Sequence, residues 1–143
     1  MCGEHHGCCM GQQDWVFRHK PYDLRERLFL YACVIVRLVQ FLHTRGRLAS
    51  ALSYQILKSG TSAGANYEEA DGGSSPRDKL AKRRIVLREL METHFRLRVL
   101  RHTNLLTAAH DPVINETAEL VKIVAKIIHN SSAADSNTDS EVL

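Results

Sequence analysis

Seven small residues stand in a row at Ser59, Gly60, Thr61, Ser62, Ala63, Gly64 and Ala65, within a stretch that otherwise has helical periodicity. Leu52 and Ile56 precede them as core-type positions. A glycine in a helix interior costs about 0.5–1 kcal/mol relative to alanine. A chain that accepts this cost needs a second backbone to come close, or a local break. Close helix–helix packing around Ser59 to Ala65 is therefore expected, and a break would take the form of a kink at Gly64.

Three further segments carry helical patterns, and no alternating strand pattern competes with them. The first helix is expected from Asp23 to His43, with Leu24, Leu28, Tyr31, Ile35, Leu38 and Leu42 on one face. Val34, Val39 and Phe41 widen that face, while Arg25, Arg27 and Arg37 mark the wet side. So wide an apolar stripe suggests contact with more than one neighbour, in the bundle or across a subunit interface. The second helix spans Leu48 to Ala70. The loop Asp71 to Ser75 ends in an N-cap, and Pro76 fits the first helical position of a third helix reaching Arg101. Its expected buried face is Leu80, Leu87, Leu90, Met91, His94 and Leu97. Asp111 and Pro112 repeat the same grammar for a fourth helix, with Val113, Thr117, Leu120, Val124 and Ile127 inward up to His129.

With 143 residues the chain has room for one domain, and 6% aromatics with 8 Gly and 3 Pro argue against an all-β sandwich. The expected fold is all-α, an antiparallel up-down-up-down four-helix bundle over 17–130. Disordered tails are expected on either side, Cys/His-rich over 1–16 and acidic over 131–143. Cys2, His5, His6, Cys8 and Cys9 could supply metal ligands, but their spacing is not that of a zinc finger and no second pair follows. No metal site is assigned. Cys33 reads as a small apolar residue. No apolar run has signal-peptide or membrane-spanning length, so a cytoplasmic protein without membrane contact is expected.

The stretch from Tyr54 to Leu100 resembles the four-helix bundle proteins related to those encoded in intervening sequences of bacterial 23S ribosomal RNA genes. The matching residues are Gln55, Ile56, Lys58 and Ser59, then Ser62, Ala65, Asn66, Glu69 and Ala70, then Lys82, Leu87, Glu89, Glu92 and Thr93. The first and fourth helices match only as amphipathic helices of the expected length. Arg83 and Arg84 depart from the more apolar or neutral pair usual in that family, and the two tails have no counterpart in it. The resemblance implies a homo-oligomer, commonly a ring of five, with no established enzymatic activity. It also implies kinship with the accessory variability protein of diversity-generating retroelements, a basic pentamer that works with a reverse transcriptase and nucleic acid.

No nucleophile with a base beside it and no phosphate-cradling glycine loop is present, so no enzyme, catalytic residue or cofactor is expected. Asn66, Glu68 and Glu69 invite a carboxylate site, but neighbouring helical residues point about 100° apart. A structural role is expected instead, with Asn66 on nearby backbone and Glu69 paired to a third-helix base such as Lys82. His94 reads as a hydrogen-bonded core or interface residue. The third helix concentrates charge, with nine bases against three acids between Pro76 and Arg101. Lys79, Lys82, Arg83, Arg84 and Arg88 are the candidate phosphate contacts for RNA or DNA. The alternative is a solvated face laced with pairs such as Arg88–Glu92, or a module that binds an acidic protein. Only Phe95 among these charges could stack on a base.

Overall fold

The computed structural model describes residues 15–72 and 75–140, with 135–140 as backbone alone. The Cys2, His5, His6, Cys8 and Cys9 group lies outside the described residues. Four helices follow one another: α1 (Leu24–His43), α2 (Arg47–Asp71), α3 (Pro76–His102) and α4 (Asp111–Ser140), with a short 3-10 turn at Ala108–His110 before α4. Among the described residues there is no strand, and no helix is long and apolar enough to cross a membrane. The all-α four-helix bundle is the observed fold.

Local chemistry sets the helix ends. The Asp23 carboxylate accepts from the Arg25 N–H at 3.1 Å, and the Ser75 hydroxyl accepts from the Asp78 N–H at 3.1 Å, with Pro76 opening α3. Gly46 enters α2 at φ 103°, a left-handed geometry that favours glycine. The expected Asp111 cap of α4 is not formed. Thr107 caps the preceding 3-10 turn instead, in a box with His110: the Thr107 N–H donates to His110 Nδ1 at 3.0 Å. Asp111 is thereby left to accept from Arg101 Nε at 2.9 Å.

The small-residue run lies where α2 meets α1, in one uninterrupted helix through Gly64. A Cβ on Gly60 would stand 2.8 Å from Ile35 Cγ2 and 3.0 Å from its Cγ1, so the buried Ile35 side chain rests directly on α2 backbone. At Gly64 the nearest group is the Leu28 carbonyl oxygen at 3.6 Å, an ordinary contact. The cost of the run is offset by hydroxyls turned back on their own helix. Thr61 donates to the Leu57 carbonyl at 2.6 Å and Ser59 has the Gln55 carbonyl at 2.9 Å. Across the α2–α3 seam, Ser59 and Thr93 hydroxyls meet at 2.6 Å, fully buried.

Packing corrects several expected faces. The α1 face is as read from periodicity, but Leu52 is exposed, and α2 buries Ala49, Ser53, Ile56, Gly60, Ala63, Tyr67 and Ala70. On α3 the buried residues are Val86, Leu90, Thr93, Leu97 and Leu100, while Met91 faces out. Apolar residues occur nearly all round α3, so periodicity alone cannot choose the phase; the Ser59–Thr93 bond and the tight α2 seam do. Arg27 is not on the wet side. It holds Glu116 through two bonds of 2.6 and 3.0 Å and reaches Glu119 at 2.6 Å, with Lys20 joining both acids. The Lys20 ammonium, above all, holds the Glu119 carboxyl below the usual carboxylate range. Beside this cluster Thr117 donates to the Val113 carbonyl, so the Tyr31 hydroxyl is the donor in its 2.6 Å bond to Thr117.

Two chain-end expectations also change. Trp15 is buried, its ring 6.2 Å from Phe41 and 5.0 Å from His110, so the segment before α1 is docked rather than tail-like from Trp15 onward. Helix α4 continues past His129 to Ser140, because 130–140 contains no glycine or proline to stop it and Ser131 bonds back to the Ile127 carbonyl.

Replacing Gly60 by Ala should cost about 1–3 kcal/mol, since the added methyl overpacks Ile35. Gly64→Ala, with room for its methyl, should instead gain about 0.5–1 kcal/mol from helix propensity. Urea denaturation of both variants checks the contrast. His110 supplies a pH test. Burial lowers its pKa in the folded state, with Arg45 and Arg101 adding, against partial opposition from the Thr107 bond and Asp111. The unfolded chain therefore binds the proton first, and stability present in full above about pH 6.5 declines below it. The urea midpoint, followed by fluorescence of the single tryptophan, should fall between pH 7.5 and 5. His110→Gln should flatten part of that fall; an unchanged pH dependence would contradict the reading.

Candidate nucleic-acid interface

Helix α3 lies beside α2 in antiparallel register, with Lys82 opposite Glu69 and Thr93 opposite Ser59. This placement decides what each base on α3 can do. Lys82 donates to Glu69 at 2.7 Å, the pairing expected from sequence. Asn66 Nδ2 donates to the Ser62 carbonyl at 2.9 Å, also the expected backbone role. Ser62 is half-buried, Ala65 is exposed and Ala70 is buried, so the matched motif of α2 builds its own helix and its seam with α3.

The five candidate phosphate contacts divide into two groups. Lys82 is engaged by Glu69. Arg83 is half-buried, with its guanidinium carbon 6.0 Å from the Tyr67 ring centre and its Nε buried without a hydrogen-bond partner among the described residues. Burial raises the Tyr67 pKa, so its hydroxyl stays neutral beside this cation. Arg84 and Arg88, by contrast, are exposed and make no ion pair among the described residues; Lys79 is half-exposed and likewise unpaired. The expected Arg88–Glu92 pair is not formed. Glu92 instead holds Arg96 at 3.3 Å.

Arg84, Arg88, Met91, Phe95 and Arg98 step by four, three, four and three residues, which places them on one stripe of α3. All five are exposed, Met91 at 55% and Phe95 at 64%. A shallow hollow of about 490 Å³ runs along this stripe between Arg84, Arg88, Met91, Phe95 and Arg96. His94, on the neighbouring face, is half-buried and makes no hydrogen bond among the described residues; burial, then Arg98, lowers its pKa. The stripe thus offers permanent positive charge and apolar surface, and the one carboxylate lining its hollow, Glu92, is the partner of Arg96.

Sequence reading missed the Lys20–Arg27–Glu116–Glu119 cluster. One signal for it was present: Glu116 sits at the buried phase of α4, between Val113 and Leu120, and is only 1% exposed. A carboxylate there requires a cation, and its partner Arg27 lies too far away in sequence for any local spacing to announce it.

No protein-family model matches the chain, and no curated protein matches it significantly. A solved structure does. It is the 1.70 Å crystal structure of a protein of unknown function from the S23 ribosomal protein family of Bacteroides thetaiotaomicron VPI-5482. The two share 33% sequence identity and superpose with a TM-score of 0.68, over 73% of this chain and 97% of that one. Identity at that level across nearly the whole of the neighbour, on the same fold, leads to one conclusion: this chain belongs to the S23 ribosomal protein family.

Proposed function

We propose that this chain is a non-enzymatic, homo-oligomeric four-helix bundle of the 23S ribosomal RNA intervening-sequence type. It would serve as a cytoplasmic accessory or scaffold protein on RNA or DNA, binding phosphate through α3. The observation that carries this reading is the pair Arg84 and Arg88, exposed, adjacent on one stripe and free of carboxylate partners among the described residues. Two guanidinium groups one turn apart, about 6 Å along the axis, suit successive phosphates. Lys79 extends the positive surface. Lys82 and Arg83 support it from behind by tying α3 to Glu69 and Tyr67. Assembly would use the outer face of α1, where Phe29 is 55% exposed and Val36 follows two turns on. A ring of five, and a reverse transcriptase as partner, rest on the sequence resemblance alone. The exposed Met91 favours a second reading, a module that binds an acidic protein; capture of such a protein that survives nuclease treatment supports it.

Titration of the chain against a structured RNA at 50 and 200 mM salt tests the proposal. Binding is expected at low salt and should weaken steeply at high salt through counterion release. Arg84→Ala and Arg88→Ala should each lower the salt slope by about 1, and sedimentation of the free protein should give a multiple of the protomer mass. No binding at 50 mM salt, or full affinity in the double variant, would contradict it.

A further inference from the structure

The phosphate-binding reading leaves Phe95 unexplained. It is 64% exposed, although a phenyl ring in water is unfavourable, and it stands on the arginine stripe between Arg88 and Arg98. Phe95 is also the wall shared by two hollows. One is the shallow hollow along Arg84 and Arg88. The other is a deeper slot of about 250 Å³ between α2 and α3, walled by Leu52, Gln55, Phe95, Arg96 and Val99, with Ile56 and Leu100 behind. The slot lies below the roughly 300–1,000 Å³ of sites for drug-sized ligands, so it suits a single planar ring system. Its lining is mainly apolar, and Gln55 carries a side-chain amide that offers donor and acceptor together.

We infer that this slot takes one unstacked nucleobase, so that the chain prefers single-stranded nucleic acid to duplex. The inference rests on the phosphate-binding reading and names the form of nucleic acid that the same surface takes. An aromatic face beside a row of cations is the arrangement by which single strands are held: phosphates lie along the arginines while a base turns inward to stack. A duplex keeps its bases paired and stacked, and so cannot enter a slot of this size. Gln55 lines the slot, and an amide that both donates and accepts discriminates weakly among bases. Charge complementarity and the slot's volume select a base over a helix from a protein partner, which needs a longer groove.

The test compares a twelve-nucleotide uridine strand with a twelve-base-pair RNA duplex, at 50 mM salt, on the full chain and on Phe95→Ala and Phe95→Trp. The strand should bind about tenfold more tightly than the duplex. Phe95→Ala should lower strand affinity about tenfold and leave duplex affinity unchanged, while Phe95→Trp should keep the wild-type preference. Equal affinities that Phe95→Ala does not alter would overturn the slot and leave phosphate binding standing. Failure of both oligomers to bind would overturn both. A change in sedimented mass in Phe95→Ala would overturn the slot by assigning Phe95 to a contact between copies.

Discussion

The close approach of α1 and α2 at Gly60 governs the rest of the molecule. Ile35 lies against bare backbone there, at a distance no Cβ would permit. Such an approach needs small side chains over nearly two turns, which accounts for a run that intrinsic propensity disfavours. It also explains the hydroxyls in that run. Serine and threonine are small enough for the seam and satisfy their own polar atoms on carbonyls one turn back. Because α2 is held so tightly to α1, its opposite edge meets α3 in a fixed register, sealed by the Ser59–Thr93 bond. That register turns Arg84, Arg88 and Phe95 outward.

The seam between α1 and α4 is built differently. There the bundle is closed by long polar side chains, Arg27 to Glu116 and Tyr31 to Thr117. A buried carboxylate with a bidentate guanidinium adds little net stability, since desolvation opposes the attraction. The phase of α4 that buries Val113 and Leu120 buries Glu116 as well, and Arg27 meets it there. Lys20 adds a second cation from the segment before α1, and Trp15 packs that same segment on Phe41 and His110. The described segment ahead of α1, from Trp15 on, is thus a working part of the fold.

Much of this was legible in the residues. The four helices, the Ser75 cap, the α1 face, the close approach at the small-residue run and the Glu69–Lys82 pair all follow from local spacing and residue size. The misses share one cause, which is that the deciding partner is distant in sequence. Arg27 looks like a solvent residue until Glu116 is brought beside it. His110 looks like a loop histidine until Thr107 and Trp15 enclose it. The phase of α3 is ambiguous because Met91, Leu87, Phe95 and Val86 offer apolar groups in several directions, and only the partner helix chooses among them. The same ambiguity concealed the site. The stripe of Arg84, Arg88 and Phe95 can be drawn from spacing, but its exposure depends on which face α2 claims.

The outward phase of Arg84, Arg88 and Phe95 depends on the geometry of the first seam, since a looser α1–α2 contact would let α2 rotate and turn α3 with it. A double-mutant cycle between Ile35→Ala and Gly60→Ala, measured by urea denaturation, tests that geometry directly. If Ile35 rests on the Gly60 backbone, removing its branches makes room for the new methyl. The double variant should then be more stable than the sum of the single losses by about 1 kcal/mol or more. Losses that add to within about 0.5 kcal/mol would show that the two residues do not meet, and would contradict the account.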